Sequence, residues 1–353
     1  MINKSNVIQT SPRLIESFKG KSFLSTENVG RPELSELIDL AVQHKHGGND
    51  PGTPLTGKAV GMVFFNPSLR TRTSMTIAIQ QLGGVPVPLH VGTETWTLEF
   101  EDGAVMDGAG AEHIKEAAPV LSSYLDAIGV RCFSKLEDYQ RDKKEEVLGA
   151  FEKYSSVPVI NLESATQHPL QGLGDVMTIN ERFGTVDQRK VVLAWTYHPR
   201  ALPVAVSNSF ALAAAQYGMN LTIACPPEYG LDEETMDLVE AKAEANEGSV
   251  TVTDNLEEAC EGAEVVYAKS WASLPYYGRL PEEAKLRAKY RDWIVDEELM
   301  ETTASDGVFM HCLPVRRNVV ATDGVLDGPR SIVIQQAHNR LHLQKTLLSL
   351  MLS

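Results

Sequence analysis

Short apolar runs recur along this chain, each too short to be a packed helix and each set off by a stretch with helical spacing. Val60–Phe65, Val85–Leu89, Ala127–Val130, Val157–Leu162, Val191–Trp195, Leu221–Ala224, Val250–Val252, Val265–Tyr267 and Val308–Met310 have this character. Runs that are apolar throughout, rather than at alternate residues, read as strands covered on both faces. Between them, residues 28–45 carry Pro32 at a first-turn position and Leu34, Leu37, Ile38 and Ala41 at helical spacing. Further helices are expected over Glu112–Tyr124, up to about Phe183, and over Val204–Tyr217, Asp232–Ala245 and Glu257–Gly262. An amphipathic helix is expected over Leu341–Leu350, and residues 46–54 and 91–108 read as loops. Strand alternating with helix implies an α/β chain of two domains, each a mostly parallel sheet flanked by helices. The polar stretch Ser164–His168 is the expected boundary. It gives a first domain over 1–165, a second over 166–335, and a C-terminal helix over 336–353 that packs back on the first.

Composition narrows the function classes. Of 353 residues, 43% are hydrophobic and 22% charged, enough for two full cores. No apolar run approaches the roughly 20 residues of a membrane span. The first residues lack the apolar centre of a secretory signal, so a cytoplasmic protein is expected. The net charge of −15 disfavours a nucleic-acid partner, and any anionic ligand must meet a local positive field. Cys132, Cys225, Cys260 and Cys312 are scattered, without a CxxC pair, which argues against a disulfide framework or a structural zinc site.

The strand ends carry the chemistry. Phe64–Ser74 reads FFNPSLRTRTS: an apolar run stops at Asn66-Pro67, then hydroxyls and guanidiniums follow where a helix begins. A helix start leaves free N–H groups and a positive dipole end, an anion site to which Arg adds forked donors. Other strands close on Arg131, Glu163, His198, Lys269 and His311. In a parallel sheet such ends share one edge, and two facing edges line a cleft. The active site is therefore expected in the cleft between the two domains.

Singly, these features have ordinary readings. His168-Pro169 can be a turn with Gln171 facing solvent. Arg316 and Arg317 can be surface charge, Trp96 a core anchor, and Lys269 and Glu163 members of plain ion pairs. Cys312 beside His311 suggests a nucleophile and its base, but adjacent strand residues point to opposite faces. A backbone carbonyl of Cys312 facing the ligand is the preferred reading.

Together and in this order the motifs resemble the aspartate/ornithine carbamoyltransferase superfamily. SLRTRTS matches its phosphate motif, HPLQ its HPxQ motif, and HCLP, Leu313 included, its HCLP motif. The resemblance spans nearly the whole chain. It is closer to the branch acting on Nα-acylated ornithine, through VMDG (Val105–Gly108), EHI (Glu112–Ile114), IGVR (Ile128–Arg131), AKSW (Ala268–Trp271), HCLPVRRN and NRLH (Asn339–His342). The SMG loop of ordinary ornithine enzymes is missing.

The resemblance implies transfer of a carbamoyl group from carbamoyl phosphate to the δ-amine of an acylated ornithine, in arginine synthesis, with no cofactor and no metal. Ser68, Leu69, Arg70 and Thr71 would bind phosphate. Thr71, Arg131 and His168 would point at the carbonyl oxygen. Gln171, the backbone at Cys312 and Leu313, and nearby Arg340 would take the carbamoyl NH2, with Pro169 and Leu170 in the same turn. Glu163, His198, Lys269 and Arg316 would hold the acylated amino acid. Trp96 would reach a neighbouring subunit's site in a homotrimer. Acetylornithine enzymes carry Glu where Ala111 stands and Lys where Val320 stands, so the two departures lean toward a succinyl substrate. Aspartate or plain ornithine carbamoyl transfer, and a non-catalytic binding protein of the same fold, are the alternatives. A nicotinamide-linked dehydrogenase is disfavoured because no GxGxxG follows a strand.

Overall fold

In the computed structural model, which describes residues 10–353, the apolar runs become parallel strands, the central ones covered on both faces and the edge runs at Val85 and Val250 left partly exposed. The first lobe begins with helices α1 (Pro12–Phe18) and α2 (Arg31–His46), then strand β1 (Ala59–Phe64), α3 (Arg70–Gln81) and β2 (Val85–His90). The short strands β3 (Leu98–Glu99) and β4 (Glu112–His113) precede α4 (Ile114–Tyr124) and β5 (Ala127–Arg131). Helices α5 (Tyr139–Asp142) and α6 (Glu146–Tyr154) lead to β6 (Val159–Glu163). The sheet order is β2-β1-β5-β6, with every pairing parallel. Pro86 and Pro88 lie on the edge strand β2, where a missing donor costs little and discourages pairing with another chain.

The second lobe runs α7 (Pro169–Phe183), β7 (Lys190–Trp195), α8 (Ala205–Gln216), β8 (Asn220–Ala224), α9 (Glu233–Ala245), β9 (Ser249–Thr253), α10 (Leu256–Cys260) and β10 (Val265–Lys269). It continues through α11 (Leu280–Arg287), α12 (Glu297–Thr302), β11 (Val308–Met310), α13 (Asp323–Asp327) and the 20-residue α14 (Val333–Leu352). Its sheet order is β11-β10-β7-β8-β9, again all parallel. Helix α8 is buried along its whole length. Gly172 of α7 lets the two helices meet, since a Cβ there would lie 2.7 Å from the Ser209 carbonyl oxygen.

Three expectations need correction. The final helix starts at Val333 rather than Leu341, because its first half buries polar residues (Gln336, Asn339, Arg340) that apolar spacing does not register. Residues 91–108 are not all loop, since β3 pairs with β4. The segment expected as a helix from Glu112 opens with β4, and α4 starts at Ile114, the Lys115 N–H of its first turn donating to His113 Nδ1. No helix among the described residues is long and apolar enough to cross a membrane.

The polar stretch 164–168 is largely buried and fastened by one carboxylate. Glu145 accepts from the Ser164 hydroxyl and from the backbone N–H groups of Ala165 and Thr166. Helix α14 then crosses from the second lobe to pack against α7, α3, α2 and α1. Further contacts between the lobes place Lys143 Nζ 2.7 Å from both Asp232 and Glu234, and Tyr277 donates to Asp142 at 2.7 Å.

Candidate active site

The site grows from strand register. Phe64 pairs with Arg131, and Arg131 with Glu163 after a register shift at the end of β5, so three strand ends lie abreast. The turn after β1 is pinned to β5 by two bonds. Phe65 N–H donates to the Arg131 carbonyl at 2.9 Å, and Phe133 N–H donates to Asn66 Oδ1 at 2.7 Å. Arg70 then opens α3, so the half-buried Ser68 and the exposed Leu69 lie at a helix start whose first N–H groups are free.

Around this turn the cations converge. Thr71, fully enclosed, accepts from Arg131 Nη1 at 3.3 Å and from Arg340 Nη2 at 2.9 Å. Arg131 also pairs with Glu163 and stacks over the Phe133 ring at 4.5 Å. Burial lowers the pKa of Arg70, and Arg131 adds like-charge repulsion. Burial and the same neighbours bring Arg340 down to about 10. Three guanidiniums with one carboxylate among them form a local positive field inside an acidic protein.

His168 caps α7 with Pro169 in the first turn. Its backbone N–H donates to Ser209 at 2.7 Å, and its Nε2 lies 3.5 Å from Glu163. Burial, reinforced by Arg340, Arg131 and Arg70, drives its pKa well below the usual histidine range, so the ring is neutral. Gln171 does not face solvent: it is 1% exposed, and its Oε1 accepts from Arg340 Nη1 at 3.0 Å. Leu170 is equally buried beneath the turn.

The second lobe contributes from β7, β10 and β11. His311 is buried, its Nδ1 accepts from Leu313 N–H at 2.8 Å, and its pKa is also held well below the ordinary value, first by burial and then by Lys269. Burial raises the Cys312 thiol. A neutral ring already engaged at Nδ1 beside a thiol held protonated is unsuited to nucleophilic catalysis. Lys269 Nζ donates to the Ser270 carbonyl at 3.0 Å, and Arg316 Nε donates to His198 Nε2 at 2.9 Å. Burial takes His198 down to about 4. Arg317 turns away to Asp323 and Asp327.

The structure thus gathers Thr71, Arg131, Glu163, His168, Gln171 and Arg340 into one network, with Arg70 near enough for its charge to act on His168 and Arg340. Glu163, expected to meet the amino-acid substrate, is here the ionic partner of Arg131. Trp96 is no core anchor: it is 60% exposed, and its indole donates to Glu112 at 2.7 Å. Ala111 is exposed, and Val320 lies in the apolar cluster with Val295 and Ala321. Sequence reasoning missed Asp175, Tyr267 and Gln336. The available signal was spacing: Asp175 lies four residues after Gln171, and Gln336 four before Arg340, each one helical turn away.

Residues 21–181 match the family described as aspartate/ornithine carbamoyltransferase, carbamoyl-P binding domain, and residues 203–351 match its Asp/Orn binding domain. The chain belongs to the aspartate/ornithine carbamoyltransferase family. It is 48% identical over 332 residues to N-acetylornithine carbamoyltransferase of Xanthomonas campestris pv. campestris, covering 93% of this chain and 97% of that protein. It is 41% identical over 283 residues to N-succinylornithine carbamoyltransferase of Bacteroides thetaiotaomicron, covering 80% and 84%. A crystal structure of acetylornithine transcarbamylase complexed with acetylcitrulline superposes with a TM-score of 0.91 at 46% identity, covering 94% of this chain and 99% of that one. In this carbamoyltransferase the Ser68–Thr71 turn, the HPLQ helix start and the HCLP loop are joined through Arg340, Gln171, Asp175 and Gln336.

Proposed function

We propose that this carbamoyltransferase acts on the δ-amine of an Nα-acylated ornithine, with N-succinyl-L-ornithine preferred over N-acetyl-L-ornithine, as a step of arginine biosynthesis in the cytoplasm. The observation that carries the reading is the convergence of Arg70, Thr71, Arg131, His168, Gln171 and Arg340 where the two lobes meet. In this reading residues 1–165 grip carbamoyl phosphate, residues 166–335 hold the acylated amino acid, and the helix from 336 returns to the first lobe.

The chemistry follows from the charges. The Ser68–Thr71 turn and Arg70 take the phosphate. Arg131, Thr71 and the neutral His168 N–H donate to the carbonyl oxygen, where negative charge grows as the amine adds. Gln171 and the backbone at Cys312 and Leu313 receive the carbamoyl NH2. The neutral amine forms the new C–N bond, the C–O bond to phosphate breaks, and the departing phosphate accepts the amine's proton. Holding both reactants in line supplies much of the rate. Glu163, His198, Lys269 and Arg316 hold the acylated ornithine, so Glu163 exchanges part of its contact with Arg131 for the substrate.

The succinyl preference rests on Ala111 and Val320, which put neither an anion nor a lysine in the acyl pocket and give a second carboxylate room without repulsion. Identity is higher to the acetylornithine relative, and that favours acetyl as the second reading. A homotrimer accounts for the exposed Trp96, Val105 and Met106 on a single segment, with Trp96 entering a neighbouring site.

Parallel kinetics on N-succinylornithine, N-acetylornithine, free ornithine and aspartate test the reading. The expected order of kcat/KM is succinyl, then acetyl, with the free amino acids far below. A higher value for acetylornithine overturns the acyl preference, and turnover confined to free ornithine or aspartate overturns the whole.

A further inference from the structure

One buried carboxyl has no duty in that reaction. Asp175 lies a helical turn beyond Gln171 on α7 and is wholly enclosed. Its Oδ1 accepts from Gln171 Nε2 at 2.8 Å and from Gln336 Nε2 at 2.6 Å. Gln336 Oε1 in turn accepts the backbone N–H of His311 at 3.0 Å. With the bonds from Arg340 to Gln171 and Thr71, an unbroken chain runs from the phosphate turn of one lobe to the loop after β11 in the other.

The ends of an amide are chemically opposite, and a carboxyl oxygen that receives hydrogen bonds decides which end it meets. Asp175 Oδ1 takes the nitrogen end of Gln171. The oxygen end is thereby left to Arg340 and to whatever occupies the cleft. We propose that Asp175 is a positioning residue: it fixes the Gln171 amide with its oxygen toward the carbamoyl group, where that oxygen accepts from the substrate's NH2. Through Gln336 it also holds the His311 end of the HCLP loop to the same helix. The inference rests on the carbamoyl phosphate reading above and adds to it the residue that sets the polarity of the NH2 pocket.

A flipped Gln171 would present a donor to the substrate's donor and another to Arg340. Neither repulsion arises in the observed arrangement. Burial pushes the Asp175 carboxyl up to about 7, against the pull of Gln336, Gln171, Tyr267 and Arg340. Orientation does not depend on its charge, because with a proton on Oδ2 the other oxygen still accepts from both amides. An Asn side chain can offer its oxygen in the same position, whereas Leu and Ala offer none.

Steady-state kinetics on the full-length enzyme test this, with carbamoyl phosphate and the acylornithine varied in turn. Asp175→Leu is expected to raise the KM for carbamoyl phosphate by about tenfold or more, the scale of one lost buried hydrogen bond, while the acylornithine KM stays within about twofold. Asp175→Asn is expected within about threefold of wild type for both. On a Gln171→Ala background, Asp175→Leu is expected to add less than about twofold, because the group it acts through is gone. Asp175→Ala replaces the Leu variant if that chain does not fold. Equal loss in the Asn and Leu variants, a parallel rise in both KM values, full additivity with Gln171→Ala, or failure of both apolar variants to fold overturns the proposal. A wild-type enzyme that does not use carbamoyl phosphate overturns the parent reading instead.

Discussion

Glu163→Gln probes the charge balance on which the site depends. Glu163 is 8% exposed and pairs with Arg131, while Arg70 and Arg340 press on the same space. Removing one member of a buried ion pair costs about 3–5 kcal/mol, because the other charge is left without compensation. Gln keeps an oxygen that can accept from Arg131, so an expected cost of about 2–3 kcal/mol is reasonable. For a folding unit of 150–250 residues that lowers the melting temperature by roughly 4–12 °C. Phosphate supplies the missing negative charge. If removal of the competing carboxylate tightens phosphate binding about tenfold, saturating phosphate returns about 1.4 kcal/mol of the loss. The assay is a thermal melt across a phosphate series at low ionic strength, where screening is weakest. The variant should start lower than wild type and gain more from phosphate, while its KM for the acylornithine rises. An unchanged melting point, or a phosphate response no larger than that of wild type, refutes the charge-balance argument.

Arg70→Ala should lower turnover by at least about 10²-fold, the scale of one preorganised charge-stabilising donor, measured as acylcitrulline formation. His168 and His311 have folded pKa values far below the unfolded 6.5, so the unfolded chain binds more protons below that pH. Stability should therefore fall as pH drops below about 6.5, by up to about 1.4 kcal/mol per pH unit for each ring. Asp175, raised to about 7, works in the opposite direction between that value and 3.8, so Asp175→Asn should lose stability more steeply in acid melts. Lys143→Ala, which removes the bridge to Asp232 and Glu234, should raise the acylornithine KM by about two- to fivefold with little change in melting temperature. Trp96→Ala should reduce turnover while leaving the far-ultraviolet circular dichroism spectrum unchanged, and sedimentation of the wild type should give three copies.

The strands β1, β5, β6, β7 and β10 were legible because they are buried on both faces and so appear as uninterrupted apolar runs, whereas the edge strands β2 and β9 are partly exposed and show only short ones. Helices α1, α5, α6 and α11–α13 were not legible, because they are short, and α6 carries Gly149 in its middle while α11 opens on Leu280-Pro281. The Ser68–Thr71 turn and the HPLQ start were readable from residue types at element boundaries. Asp175 and Gln336 were hidden because a polar residue on a helix reads as solvent-facing until its partners are known. The pairing of Glu163 with Arg131 needed the register shift at the end of β5, which no spacing rule predicts. Trp96 and Ala111 lie exposed on the segment between β2 and α4, where neither apolar spacing nor an element boundary marks them.

Helix α14 carries a consequence for dissecting the enzyme. Arg340 belongs to the last long element in sequence but reaches Thr71 near the start, so cutting the chain into its two lobes would not yield two working halves. A fragment comprising only the first lobe would lack one of its three guanidiniums and would bare the apolar sides of α2 and α3 that α14 covers. Such a piece would aggregate unless the helix were added back, as a peptide or by circular permutation that joins the helix directly to the first lobe.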